Sequence, residues 1–371
     1  MHDPIRLMLV AGARPNFMKI APIVRECDRR DREFSYSIIH TGQHYDASMS
    51  DVFFEELGIP APDHHLNVGS GDHSEQTAKI MQCFDPICRK EKPDCVVVVG
   101  DVNSTLACTI VAKKLNFQVA HVEAGLRSGD RRMPEEINRL VTDAIADYFF
   151  VTEQSGMEHL AREGHSKDNV FFVGHVMIDN LFFELERLKS APVENSATKL
   201  AEDLRSYGVV TLHRPSNVDD RATLKGIIEA LNCLAERIDL IFSVHPRTRN
   251  RIKEFELSLS SRIHMFEPLS YRSFLQIWKG AQIVLTDSGG LQEETTALGI
   301  PCLTLRENTE RPATVEMGSN RLCGPNPDNI ISAASEVLAQ VGMDWPRPPL
   351  WDGLASKRIL DALETVIRAD S

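Results

Sequence analysis

The sequence lacks the marks of a secreted or membrane protein. No apolar run approaches the roughly 20 residues that a bilayer-spanning helix needs. The N-terminal stretch MHDPIRLMLVAGARP has no long apolar core followed by a small-residue cleavage site. We therefore expect a retained N-terminus, no membrane insertion and a cytoplasmic location.

Basic charge and metal-binding patterns are also scarce. Lys and Arg number 41 against 53 Asp and Glu, a formal net charge of −12. This balance disfavours nucleic acid or an anionic membrane as a partner but allows a local cationic pocket for a phosphate. The eight cysteines include no CxxC pair, so we expect reduced thiols that pack as small hydrophobes. His44, His64, His65 and His73 show no ligand spacing with Asp or Cys, and no metal site is expected.

Two nucleotide-binding signatures are absent as well. The sequence has neither the dinucleotide fingerprint GxGxxG nor a Walker-type lysine loop. Nicotinamide and ATP chemistry therefore lose support, and we expect no cofactor.

The sequence does contain short Val/Ile/Leu-rich runs that alternate with amphipathic stretches, a pattern typical of parallel sheets covered on both faces. A chain of 371 residues suits two domains. We predict an α/β fold in which two Rossmann-like domains face a central cleft. The first domain spans 1–187, a polar linker 188–205, the second domain 206–350, and a C-terminal helix in 351–371 is expected to pack back toward the first domain.

Unusual polar residues follow the predicted strands repeatedly, and in parallel α/β sheets ligands bind beyond the carboxyl ends of the strands. The segments concerned are Gly12–Pro15, Thr41–His44, Gly100–Asp101, Glu123–Gly125, His213–Arg214, His245–Arg247 and Asp287–Gly290. Gln43 and His245 become candidate substrate-binding residues by this rule.

The Asp287-Ser288-Gly289-Gly290 stretch reads as an anion site ahead of a helix. Paired glycines let a diphosphate approach the backbone, and a helix N-terminus presents free amides. An ordinary N-cap with glycines for close packing is the alternative. Glu293 and Glu294, on the first turns of the same helix, could favour the helix dipole, and one of them could instead accept hydrogen bonds from ribose hydroxyls.

The loop GARPNFMK places Arg14 and Lys19 near the start of a helix, where basic side chains are poorly placed for the dipole. An anionic ligand would explain them, and a surface salt bridge is the alternative.

Carboxylates at the strand ends give a sharper signal. Asp101 follows VVVVG, Glu123 follows VAHV, and Glu135 opens a helix four residues before Arg139. Converging acids could do general acid–base work on a sugar hydroxyl or a C–H bond. Separately, each could be a helix cap, a dipole partner or half of a salt bridge. His213 could bind a phosphate or shuttle a proton, or could simply pack in a turn.

Together these motifs resemble the non-hydrolysing UDP-N-acetylglucosamine 2-epimerase family, whose fold is of the glycosyltransferase-B type. The resemblance runs from GARPNFMKIAP to the end of the chain. It is most specific in HVEAGLRSGDRRMPEEINR and TDSGGLQEE, and it extends through HTGQHYDASM, GDVNSTLA, TLHRPSNVDD and ENTERPATVEMG.

The resemblance implies roles for individual residues. The catalytic positions are Asp101, Glu123, Glu135 and His213. The implied UDP contacts are Arg14, Lys19, Ser288, Gly289, Gly290, Glu294 and Arg311, with Arg139 a further substrate-binding candidate. Family enzymes eliminate UDP to leave a 2-acetamidoglucal and add it back with carbon 2 inverted, and they are commonly dimers.

Three departures from the family pattern bear on substrate and regulation. Asn16 stands where many members have Glu, and HRPSN where many have HRREN. The stretch LNVGSGDHSEQT lacks an arginine that some bacterial members use for a second, activating UDP-N-acetylglucosamine, so allosteric activation is not implied. A diacetamido-uronic acid nucleotide remains an alternative substrate. A glycosyltransferase of the same fold and a catalytically silent UDP-sugar binder remain alternative functions, although three acids argue against the binder.

Overall fold

A computed structural model of the protein describes residues 3–42, 51–309, 311–340 and 342–369. The chain divides into two units, Met1–Asn180 with Pro349–Ser371, and Leu181–Pro348. All strand pairs are parallel in both units, as the continuous apolar strands predict. Within the described ranges, no helix is long and apolar enough to cross a membrane.

The first unit contains a seven-stranded sheet of order β3-β2-β1-β4-β5-β6-β7. Its strands are β1 Ile5–Ala11, β2 Phe34–His40, β3 His64–His65, β4 Cys95–Val99, β5 Gln118–Val122, β6 Tyr148–Val151 and β7 Val170–Phe172. Its helices are α1 Arg14–Arg29, α2 Asp51–Leu57, α3 His73–Glu91, α4 Asn103–Lys114, α5 Pro134–Ile145, α6 Gln154–Arg162 and, after the second unit, α16 Ala355–Ala369. Every residue of β4 is buried, because hydrophobic clusters cover both faces of the sheet.

The second unit contains a six-stranded sheet of order β10-β9-β8-β11-β12-β13. Its strands are β8 Tyr207–Thr211, β9 Asp239–Ser243, β10 Ile263–Phe266, β11 Ile283–Thr286, β12 Cys302–Thr304 and β13 Asn320–Leu322. Its helices are α8 Ser196–Asp203, α9 Pro215–Val218, α10 Arg221–Ala235, α11 Pro246–Glu254, α12 Tyr271–Trp278, α13 Gly289–Leu298, α14 Pro312–Glu316 and α15 Pro327–Ala339. α7, Val176–Ser190, contains the point where the chain passes from one unit to the other.

The segment expected to be a linker, 188–205, is largely helical and belongs to the second unit. Asn195 starts α8 by accepting hydrogen bonds from the amides of Ala197 and Thr198, a cap that stabilises a helix in a polar stretch. The Asn195 side chain also donates to Ser273 Oγ at 3.0 Å on α12. The division therefore falls after Asn180, before the predicted boundary at 187.

The C-terminal helix α16 packs against α1 within the first unit. Its apolar face, which includes Ile359 and Leu363, joins the core of that unit. Arg30 on the turn after α1 forms ion pairs with Asp361 and Glu364 at 2.7 and 2.6 Å. The chain therefore returns to the first unit after residue 348, and α16 helps to cover one face of the seven-stranded sheet.

All eight cysteines are free thiols in the structure. Six are buried, whereas Cys83 and Cys233 are exposed. The expectation of buried thiols therefore fails for these two.

Candidate active site

Asp101 and Glu123 follow neighbouring strands. β4 and β5 pair in register, with Val99 opposite Val122, so the turns after them lie side by side. The Gly100 amide donates to Val122 O at 3.0 Å and ties the two turns together. Gly100 has a φ of +67°, and a Cβ there would lie 2.9 Å from Lys19 Nζ. Glycine therefore keeps the space between the acids open to a cation.

Glu123 is buried and pairs with Lys19, whose Nζ lies 2.5 Å from Glu123 Oε2. Burial alone would raise the pKa of Glu123, but the positive charges of Lys19, His175 and Arg139 outweigh it and lower the pKa to about 2. The carboxylate is therefore ionised in the ligand-free protein at neutral pH.

Asp101 pairs with Arg139, one helix turn into α5. Arg139 Nη2 lies 2.7 Å from Asp101 Oδ2, and its Nη1 donates to Glu123 O at 3.3 Å. The guanidinium thus contacts both acid-bearing turns. At this edge of the sheet, the positive charges of Lys19 and Arg139 therefore balance the negative charges of Glu123 and Asp101.

Glu135, the third predicted acid, is exposed at the start of α5. Its neighbour Glu136 is buried and accepts hydrogen bonds from the amides of Ser128 and Gly129 at 2.8 and 3.2 Å. In the sequence the two glutamates look equivalent, but helix periodicity turns one inward, where it organises the loop before α5, and the other outward.

The loop before α1 is shaped by Asn16, whose Oδ1 accepts from the amides of Gly12 and Ala13 at 3.2 and 3.0 Å. Arg14 is exposed, with its guanidinium 5.1 Å from the centroid of the Phe53 ring. This cation–π contact with Phe53 holds Arg14, so the side chain can be ordered without the anionic ligand that the sequence suggested. Its positive charge remains available to such a ligand. Gln43 lies outside the described residues.

In the second unit, His213 is oriented by Asp287. His213 Nδ1 lies 2.8 Å from Asp287 Oδ1, and the backbone amides of His213 and Arg214 donate to the same carboxylate at 3.0 and 2.8 Å. Burial would raise the pKa of Asp287, but these hydrogen bonds and the His213 ring lower it. Sequence reasoning placed Asp287 in an anion-binding motif and missed this role.

Ser288, Gly289 and Gly290 begin α13, with Ser288 at the N-cap. Apart from the neighbouring residues and the backbone of α13 itself, no heavy atom of the described residues lies within 4 Å of an ideal Cβ at either glycine, so the start of the helix is unobstructed. His245 is the N-cap of α11, and its ring centroid lies 6.2 Å from that of His213. The structure therefore brings His213, His245 and the α13 N-terminus to the carboxyl edge of one sheet.

The two glutamates of α13 have different partners. Glu293 pairs with Arg311 at 2.6 Å, so Arg311 is held by a carboxylate in the ligand-free protein. Glu294 Oε1 accepts a hydrogen bond from Tyr271 Oη at 2.8 Å. Desolvation, aided by the charge of Glu293, raises the pKa of Glu294 to about 7 against the effect of the Tyr271 hydrogen bond. Tyr271 was not identified as a site residue from the sequence.

Among residues 3–42, 51–309, 311–340 and 342–369, no three or more His, Cys, Asp or Glu side chains are grouped so that they could hold a metal ion.

Two parallel α/β units with polar residues at their carboxyl edges define the class of the protein, that of nucleotide-sugar enzymes with the glycosyltransferase-B type of fold. The class is confirmed by solved structures. A crystal structure of the 2-epimerase from Methanocaldococcus jannaschii matches with a TM-score of 0.85 and 41% identity, over 97% of this chain and 100% of the other. The same enzyme in complex with UDP-GlcNAc and UDP matches with a TM-score of 0.75.

Residues 25–364 match the profile of the UDP-N-acetylglucosamine 2-epimerase family, and the chain belongs to that family. The UDP-N-acetylglucosamine 2-epimerase of M. jannaschii is 43% identical over 97% of this chain and 99% of its own length. A UDP-2,3-diacetamido-2,3-dideoxy-D-glucuronate 2-epimerase from Pseudomonas aeruginosa is 37% identical, covering 97% and 99%. The resemblance inferred from the motifs is thus confirmed, and the protein is an epimerase.

Proposed function

We propose that the protein inverts carbon 2 of UDP-N-acetylglucosamine (UDP-GlcNAc) to give UDP-N-acetylmannosamine (UDP-ManNAc). The proposal depends on two ion pairs, in which Asp101 and Glu123, on the turns after adjacent strands, pair with Arg139 of α5 and Lys19 of α1. A protein that only bound the nucleotide would need cations and amide donors, but not two carboxylates held at the same edge of a sheet.

The proposed reaction is elimination followed by addition. A carboxylate takes the proton from carbon 2 while the bond from carbon 1 to the diphosphate oxygen breaks, which leaves UDP and a 2-acetamidoglucal. UDP then adds back to carbon 1, and carbon 2 is protonated on the opposite face. Glu123 is ionised and so able to accept a proton, and Asp101 and the exposed Glu135 are the other acids available for the second transfer.

In this proposal, Lys19 couples binding of the substrate to the basicity of the Glu123 carboxylate. A carboxylate with a pKa of about 2 is a weak base, because Lys19 stabilises its charge. A diphosphate that attracts Lys19 would weaken this ion pair and raise the pKa of Glu123 toward a useful range. The base would then become strong only when the substrate is bound.

We assign nucleotide binding to the second unit's strand ends. Backbone amides at the start of α13 and the Nε2 atom of His213 would meet the diphosphate, and stabilise the charge that develops as it leaves. Glu294 would accept hydrogen bonds from the ribose hydroxyls. Further candidate contacts, all of them expectations from the sequence, are Arg14, Gln43, His245 and Arg311.

The test is incubation with UDP-GlcNAc in deuterium oxide, followed by proton NMR. We expect loss of the carbon 2 proton signal and formation of UDP-ManNAc without any acceptor. Turnover only with an acceptor would indicate a glycosyltransferase. Free N-acetylmannosamine with UDP would indicate a hydrolysing enzyme, and binding with neither reaction would indicate a silent binder.

A second substrate deserves the same assay, since the P. aeruginosa relative is named for a diacetamido-uronic acid nucleotide and covers nearly the whole chain. Parallel reactions with UDP-GlcNAc and the 2,3-diacetamido uronate would decide the question by the ratio of kcat/KM. If kcat/KM for the uronate exceeds kcat/KM for UDP-GlcNAc, the uronate is the preferred substrate. The proposed chemistry at carbon 2 would be unchanged.

We also propose that the protein is cytoplasmic and that it forms a homodimer. Met133, the N-cap residue of α5, is spaced four residues from Ile137, which is spaced four from Val141, so the three side chains share one face, and they are 42%, 41% and 37% exposed. Burial of this face against a second copy would remove apolar surface from water. Light scattering should give a dimer mass that Ile137→Glu lowers, whereas a monomeric wild-type protein would refute the dimer.

A further inference from the structure

His121 is a fully buried histidine in β5, two residues before Glu123. Its Nδ1 atom lies 2.6 Å from Asp143 Oδ1, and its Nε2 atom lies 2.8 Å from Gly100 O. Asp143, on α5, is also fully buried. A histidine within the apolar strand QVAHV is costly to bury, so these two contacts need an explanation.

Both partners of His121 are hydrogen-bond acceptors. Gly100 offers a carbonyl oxygen, and the other oxygen of Asp143 accepts a hydrogen bond from the Gly125 amide and pairs with Arg127 Nη2 at 2.7 Å. Asp143 is therefore a carboxylate. A neutral imidazole has one N–H group and one lone pair, so in either tautomer it would leave a lone pair facing an acceptor. The geometry is satisfied only when the ring donates from both nitrogens.

The pair acts on the two turns that carry the acids. His121 holds the carbonyl of Gly100, the residue before Asp101. The second oxygen of Asp143 accepts from the Gly125 amide at 3.1 Å, two residues after Glu123. One buried pair therefore fixes the backbone on both sides of the site.

The turn at Glu123 needs such support. Glu123 has a φ of +67°, in the left-handed region that residues other than glycine rarely adopt. Gly125 has a φ of +77°, and a Cβ there would lie 2.4 Å from Gly156 O. The hydrogen bond from Gly125 to Asp143 stabilises this unfavourable backbone, and so the direction of the Glu123 side chain.

We propose that His121 and Asp143 are positioning residues. His121, protonated on both ring nitrogens, and the Asp143 carboxylate hold the turns that carry Asp101 and Glu123 in their reactive arrangement. Neither residue touches the reacting atoms in this account. The activity arm of its test rests on the proposed epimerase function, whereas the spectroscopic arm does not.

The activity arm compares His121→Gln and Asp143→Asn with the wild type. Because small misplacements of reacting groups cost large factors in rate, we expect kcat to fall about 10- to 100-fold while KM changes by less than about threefold. The matched control is His264→Gln, which breaks another His–Asp pair, His264 Nε2 to Asp239 Oδ1 at 2.9 Å, in the second unit. A loss of kcat no greater than that of the control, or a rise in KM with kcat unchanged, would overturn the proposal.

The spectroscopic arm uses the wild-type protein labelled with 15N-histidine and without ligand. We expect two protonated ring nitrogens for His121, assigned in the wild-type protein by through-bond correlation of the ring to the His121 backbone. A single unprotonated nitrogen would refute the inferred state of the ring even if both variants failed to fold. If the wild type turned over no UDP-sugar, the proposed function would fail and this result would stand.

Discussion

Glu123 and Glu294 are both desolvated glutamates near strand ends, one in each unit, and their acidities are shifted in opposite directions. The pKa of Glu123 falls to about 2, and that of Glu294 rises to about 7. Burial acts in the same direction on both carboxyl groups. The difference lies in their neighbours, since Glu123 faces Lys19 and Arg139, whereas Glu294 faces Tyr271 and the acidic Glu293.

The sign of a nearby charge therefore decides what a desolvated acid can do. In the first unit the cations keep the Glu123 carboxylate ionised, as the proposed proton transfer at carbon 2 requires. In the second unit a carboxyl group close to neutrality is suited to hydrogen bonding with hydroxyls, where either protonation state can take part.

The largest effect is expected from removal of the first unit's carboxylates. Glu123→Gln or Asp101→Asn should lower kcat by about 10²- to 10⁴-fold, because the proton transfer loses its general acid or base. UDP affinity, measured by calorimetry, should change little. Asp94→Asn is the matched control, since Asp94 also pairs with an arginine, Arg6 at 3.0 Å, but precedes β4. Near-normal rates for both active-site variants would remove the acid–base assignment.

Much of this architecture follows from sequence pattern. The buried run CVVVV predicted β4, and the rule that ligands lie beyond strand ends made Asp101 and His213 candidate site residues, because both inferences depend on local order along the chain. The partners of these side chains were not predicted. Lys19 is 104 residues from Glu123, and Asp287 is 74 residues from the His213 amide, and such pairs are fixed only when the strands take their order in the sheet.

The wrong linker assignment has a different cause. Residues 188–205 were judged by polarity and by Pro192, but a surface helix is polar on most of its circumference. The signal that was available is Asn195 with Thr198 three residues later, which together form the capping box of α8. The capping residues therefore indicated a helix that the polar composition of the segment did not.

The next effect concerns the orientation of His213. Asp287→Asn should lower kcat about 10- to 100-fold, because the amide no longer fixes the ring by a charge-assisted hydrogen bond. Asp239→Asn, which disturbs the His264 pair in the same unit, should leave kcat within about threefold. Equal losses in the two variants would indicate general destabilisation of the unit and not a role for His213.

A smaller effect is expected in acid stability. The folded-state pKa of Glu123 is about 2, below its ordinary value of 4.5, so its contribution to stability is complete above about pH 4.5 and is lost as the pH falls toward 2. The free energy of unfolding of the wild type should therefore decrease more steeply than that of Glu123→Gln over this interval. Urea titrations of both proteins at several pH values would show the difference. Parallel curves would mean that Lys19 does not stabilise the ionised form.

The smallest effect is expected in the second unit, in the pH dependence of UDP binding. The pKa of Glu294 is about 7 in the ligand-free protein, and an ionised carboxylate accepts hydrogen bonds from ribose hydroxyls more strongly than a neutral one. Affinity of the wild type relative to Glu294→Gln should thus rise about fivefold as the pH increases through 7. The ratio cancels the titration of groups that both proteins share, such as His213.

Tyr271→Phe sharpens the same measurement. The Tyr271 hydroxyl donates to Glu294 and favours the ionised form, so its loss should raise the pKa of Glu294 further. The rise in relative affinity should then move to higher pH without changing in size. A shift to lower pH, or a wild-type ratio that is flat across pH 7, would show that the contrast between the two glutamates is not set by their neighbours. In that case the assignment of Glu294 to the ribose would lose its physical basis, while the chemistry assigned to Glu123 would be unaffected.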